Sequence, residues 1–134
     1  MDIDGLITIR SDFGPDATAS RLEAETKAKG MTIFAIIDHA SGASAVGLTL
    51  RPTAVMVFGN AKSGTPLMQS IQSIGIDLPL KVLIWQDAAS VTWLSYNDPH
   101  WLARRHELDE GSHPTIQTMA AALQGVVNKA ARLQ

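Results

Sequence analysis

Residues 53–66, TAVMVFGNAKSGTP, carry the clearest chemical pattern in the chain. Gly59-x-x-x-x-Gly64 has the glycine spacing of a phosphate-binding loop, and an apolar run leads into it. In nucleotide hydrolases a lysine follows the second glycine and reaches the terminal phosphates, and the next hydroxyl holds magnesium. Here Thr65 and Pro66 stand in those places, while Lys62 sits inside the loop. Proline has neither a hydroxyl nor an N–H to offer, so nucleotide hydrolysis is not expected. Two readings of the loop remain. In the first it only turns the chain: the glycines permit a tight bend, Thr65 is a helix N-cap and Pro66 is the first helical residue. In the second, Lys62, Ser63 and backbone amides at a helix N-terminus make a modest anion site that needs no magnesium.

His39 is the other candidate. Asp38-His39 closes the apolar run 31–39, MTIFAIIDH, and an imidazole there could serve as a general base. Neighbours on a strand point to opposite faces, so the two side chains should not meet. A partly buried, hydrogen-bonded histidine is the plainer expectation. His100, His106 and His113 are six and seven residues apart. Ligands on one helix want intervals of three or four, so no metal site is expected. Trp85 and Trp93 read as cross-strand partners, in the core or at a subunit contact. No serine lies in a strained nucleophile motif, and no Ser–His–Asp arrangement is expected.

Elements must position these groups. Residues 5–11 alternate as a strand with one wet face. Gly14-Pro15-Asp16 opens a helix that Gly30 ends, with Ala17, Leu22, Ala24 and Ala28 as its inner face. Strands follow over 31–39 and 53–58, joined by the small-residue loop SGASAVG. Leu67, Ile71 and Ile74 mark a short helix closed by Gly75. Residues 78–87 and 91–97 form a hairpin turning at 87–90. Asp98 caps a further helix with Pro99 at its first position, and a last helix runs from 114 to 132. Short links between successive strands favour antiparallel pairing. The expectation is an α+β two-layer sandwich, mainly antiparallel, with helices packed on one face.

Composition narrows the class. The 134 residues form one domain, 1–134, with 46% hydrophobic and 18% charged residues and a net charge of −2. No basic stripe suggests nucleic acid. The absence of cysteine excludes disulfides, thiolate metal sites and a cysteine nucleophile. The N-terminus lacks the basic start and apolar stretch of a signal peptide, and no run approaches a membrane span. A cytoplasmic protein with no membrane contact and no cofactor is expected.

With the segments in place a resemblance emerges. RPTAVMVFGNAKSGTPLMQ, GIDLPLKVLIWQD and TWLSYNDPHWLARRH, preceded by DHASGASAVGL, resemble the domain-of-unknown-function 302 family of small bacterial and archaeal proteins. The match runs over roughly residues 5 to 108, and the motifs stand in order at normal spacing. The resemblance implies a two-layer fold of TATA-binding-protein-like topology and a homodimer, and it implies no activity. The expected ligand site joins His39, Asn60, Lys62, Ser63 and Thr65 to the Asn97-Asp98 turn. Such a cluster of donors and a cation suits a small carboxylate or phosphate metabolite held without catalysis. The alternatives are an enzyme with His39 as base and Lys62 as anion clamp, and an interaction protein without a pocket.

Overall fold

A computed structural model describes residues 2–132. Five strands make one antiparallel sheet: β1 (Leu6–Arg10), β2 (Thr32–Asp38), β3 (Thr53–Gly59), β4 (Leu80–Gln86) and β5 (Thr92–Asn97), in the order β1-β5-β4-β3-β2. The helices are α1 (Pro15–Ala28), α2 (His39–Ala45), α3 (Ala61–Ser70), α4 (Pro99–Arg105) and α5 (His113–Ala131). A 3-10 segment, Gln72–Asp77, links α3 to β4. The α+β sandwich expected from the sequence is therefore the one observed.

Alternation along each strand builds the core. Met56 and Phe58 of β3, Val82 and Ile84 of β4, and Leu94 and Tyr96 of β5 are buried together with Leu22 of α1, Leu67 of α3 and Leu123 and Val127 of α5. The opposite face of the sheet carries Val55, Val57, Leu83, Trp85 and Trp93, all half-buried. Trp85 and Trp93 are register partners with ring centroids 6.2 Å apart, so this pair is cross-strand but lies outside the core.

Several local expectations need correction. The buried residues of α1 are Thr18, Leu22 and Thr26, while Ala17, Ala24 and Ala28 are exposed. The loop after β2 contains the helix α2, capped by Asp38, whose carboxylate accepts from the Ser41 N–H at 2.9 Å. His39 is thus the first residue of α2 rather than the last of a strand. Most consequentially, α3 starts at Ala61 and not at Thr65. Asn60 is its N-cap, and Pro66 lies inside the helix. Asn60 and Thr65 are both capping types, and the chain uses the earlier one. The amide that Pro66 lacks would have bonded the Lys62 carbonyl, on the exposed side of the helix.

Candidate functional site

The start of α3 has the opposite character from a phosphate loop. The Asn60 side chain takes the Lys62 N–H at 2.9 Å, and the Asn60 carbonyl takes the N–H groups of Ser63 and Gly64 at 3.0 and 2.9 Å. Amides that would cradle an anion are thus satisfied by one asparagine. Neither Gly59 nor Gly64 is among the glycines with positive φ, because one ends a strand and the other lies in a helix. The turn needs no glycine flexibility at either place.

A cavity of about 410 Å³ opens beside this helix start. Met31, Phe34, Met68, Leu78, Pro79 and Met119 give it a mainly apolar lining. Asn60, Ser63, Thr65 and Thr118 supply polar groups, and Lys29 is the only charged residue lining it among those described. The α3 contribution follows helical geometry. Ala61, Gly64, Thr65 and Met68 recur at the intervals of one face and line the cavity. Lys62, Pro66 and Gln69 share the other face and are exposed.

The structure brings together Asn60, Ser63 and Thr65 and separates the other residues of the expected site. Lys62 points away for the reason just given. His39 follows Asp38, which pairs with Ala54, whereas the loop follows Gly59, which pairs with Thr32. The antiparallel register therefore puts Asp38, the residue before His39, about 17 Å along the strands from Gly59, by the ordinary rise per residue. His39 is exposed rather than partly buried. Asn97 lies on β5, with β4 between it and β3. The Asp98 carboxylate accepts from the His100 N–H at 3.0 Å and caps α4. An enzyme pairing His39 with Lys62 finds no common site.

A second cluster escaped sequence reasoning. The Asp77 carboxylate, 8% exposed, accepts from Arg105 Nη1 at 2.9 and 3.0 Å and meets His106 Nε2 at 2.5 Å. The other imidazole nitrogen, Nδ1, is 2.9 Å from Ser73 Oγ. Hydroxyl, imidazole and carboxylate are thus linked in the order of a nucleophile relay. Ser73 is exposed, however, and lines neither this cavity nor the cleft between α4 and α5. With Arg105 on the carboxylate, the cluster is an ion-pair tie between the 3-10 segment and α4. His100 and His113 also meet across helices, ring centroids 5.8 Å apart. Among the described residues no group of three metal-ligating side chains forms.

Electrostatics point away from the cavity too. The Trp93 indole N–H, then the Val91 amide, hold the Asp87 carboxyl below the usual carboxylate range. Ser112 and Ser70 do the same for Asp109. Burial pushes the Tyr96 phenol up, and the Asp98 carboxylate adds to it.

Comparison with known proteins fits this geometry. A solved structure, an uncharacterized conserved protein DUF302 from Bacillus stearothermophilus, has the same fold: TM-score 0.85 at 18% identity, over 97% of this chain and 100% of the other. Proteins named fluoride-specific ion channel FluC 1 from Brucella suis and Brucella abortus are 42% identical over 125 residues, or 93% of this chain. That alignment covers 49% and 46% of those two proteins, so the chain spans about half the length of the curated relatives it matches. The family model described as domain of unknown function DUF302 matches residues 7–128, and the chain belongs to that family.

Proposed function

We propose that this protein is a non-enzymatic, homodimeric binding module whose cavity beside α3 takes a small ligand with an apolar body and one anionic head. The cavity itself carries the reading: its volume suits a small organic molecule, and its lining is apolar with a few polar groups to one side. Lys29 supplies the cation, and Asn60, Ser63 and Thr65 supply hydrogen-bonding groups. A medium-chain or aromatic carboxylate matches that combination better than phosphate, because the Lys62, Ser63 and Gly64 amides at the helix start are already bonded. The homodimer is what the family resemblance implies.

The channel name of the Brucella proteins belongs, in this reading, to the half of their length that this chain does not match. No helix among the described residues is long and apolar enough to cross a membrane. Fluoride is also a poor ligand for the cavity, since a small hydrated anion loses more in an apolar lining than one ammonium group returns.

Thermal denaturation with decanoate, phosphate and fluoride tests the proposal. Decanoate should raise the midpoint by several degrees at saturating concentration, since a ligand of the native state stabilises it. The other two should leave it unmoved. Ala122→Phe, which fills the cavity from α5, should abolish the response, Lys29→Gln should weaken it, and Lys62→Ala should leave it intact. A response that survives Ala122→Phe, or no response to any apolar carboxylate, refutes the assignment.

A further inference from the structure

The sheet has two edges, and they are finished differently. Arg132 Nη1 donates to the Arg10 carbonyl at 2.8 Å, and the Asp12 N–H donates to the Ala131 carbonyl at 2.7 Å. The end of α5 is thereby stitched to the end of β1, and β1 carries the charge of Arg10. Charge and cover are the ordinary means by which an edge strand avoids pairing with another chain.

β2 has neither. Its sequence, TIFAIID, holds no lysine, arginine or proline, and its single bulge lies towards one end, between Ile33 and Ala35. Asp38 stands at the other end and is engaged in capping α2. From residue 34 to 50 every residue except Ala40 and Ala43 is exposed, and α2 contributes no buried residue. Of the eight large apolar side chains exposed among the described residues, six fall in this stretch: Phe34, Ile36, Ile37, Val46, Leu48 and Leu50, at 45–71% exposure. Asp38 is its only acidic residue, and it contains no lysine or arginine.

Such side chains together present roughly 500 Å² of apolar surface. Ile36 pairs with Met56 on the helix-covered face and Ile37 with Val55 on the other, so this surface wraps both sides of the edge, and it makes up most of the ~800 Å² that each partner gives to a standard interface. We infer that β2 is where two copies of this chain join, edge to edge and antiparallel about a two-fold axis. The two five-stranded sheets become one, and each copy covers Val46, Leu48 and Leu50 of the other. A second copy is the occupant that fits. A near-neutral antiparallel edge is complementary to itself, carries no charge pattern to select a different protein, and closes after one pairing. The inference names the surface for the dimer proposed above and does not depend on the ligand.

The chain has no cysteine, so single-cysteine variants report the contact cleanly. Phe34→Cys, Ala35→Cys, Ile36→Cys and Ile37→Cys span the predicted axis, and opposed positions there bring Cβ atoms within disulfide reach. The protein should run as a dimer in light scattering at micromolar concentration. At least one of the four variants should cross-link on mild oxidation, and Thr8→Cys on β1 should not. Ile36→Lys should give a monomer with an unchanged circular dichroism spectrum. A dimer that cross-links at none of the four positions, or that survives Ile36→Lys, overturns this surface while leaving the dimer standing. A monomeric parent protein overturns both.

Discussion

Thr26 shows how much a single atom reveals about the packing. Its residue is fully buried in α1, and its hydroxyl has no hydrogen-bond partner among the described residues. Thr18, two turns earlier on the same face, is equally buried, but its hydroxyl meets Ser11 Oγ at 2.6 Å. An enclosed hydroxyl without a partner costs about 1–3 kcal/mol, and valine has the same shape without that penalty. Thr26→Val should therefore raise stability by about 1 kcal/mol, read as a higher urea midpoint at unchanged slope. Thr18→Val should lower it, because the buried Ser11 hydroxyl would keep the Phe13 N–H it accepts from but lose its hydroxyl partner. The alanines at 17, 24 and 28 look like an inner face in the sequence, and periodicity alone cannot exclude them. Tertiary contacts choose the threonines, and Leu22 fits either stripe.

At the scale of elements, what was legible followed from local rules. The hairpin of β4 and β5, the Pro15 start of α1 and the Asp98-Pro99 start of α4 are each set by a few adjacent residues. The start of α3 was not legible, because Asn60 and Thr65 are both good caps and Pro66 is tolerated at either of two helical positions. The candidate site lost Lys62 to the helical geometry of α3 and His39 to a non-local cause. His39 is separated from the loop by antiparallel register, which no local spacing reveals. The Asp77 cluster was hidden in the same way, since Ser73, Asp77 and His106 lie in one 3-10 segment and at the end of a distant helix. Its tie is structural, and its removal should show it. Asp77→Ala leaves the mostly buried His106 ring and the Arg105 guanidinium without their acceptor. Breaking a buried pair on one side costs ~3–5 kcal/mol, and Arg105 is half exposed, so about 2–4 kcal/mol is expected by urea denaturation. Ser73→Ala should cost under ~1 kcal/mol, since water replaces an exposed hydroxyl. Equal losses from the two substitutions would contradict this division.

The whole molecule joins the cavity to the bare edge through one side chain. Phe34 lines the cavity, is 56% exposed, and belongs to the apolar stretch of β2. Its ring also stands over the site of Gly59, where a Cβ would lie 3.8 Å from Cε2. A second copy seated on β2 would fix this ring and cover one wall of the cavity. A ligand in the cavity would fix the same ring from the other side. Each event lowers the ordering cost of the other, so ligand binding and dimerisation should be positively coupled. The coupling is reciprocal by thermodynamic necessity and should reach fivefold or more if it matches ordinary linked sites. Dilution of the protein with and without decanoate gives one side: the ligand should lower the dimer dissociation constant. Titration of decanoate into the Ile36→Lys monomer gives the other, as an affinity reduced by the corresponding factor. Equal affinities in monomer and dimer would mean that the ring is already held by its own chain, and that cavity and edge act separately.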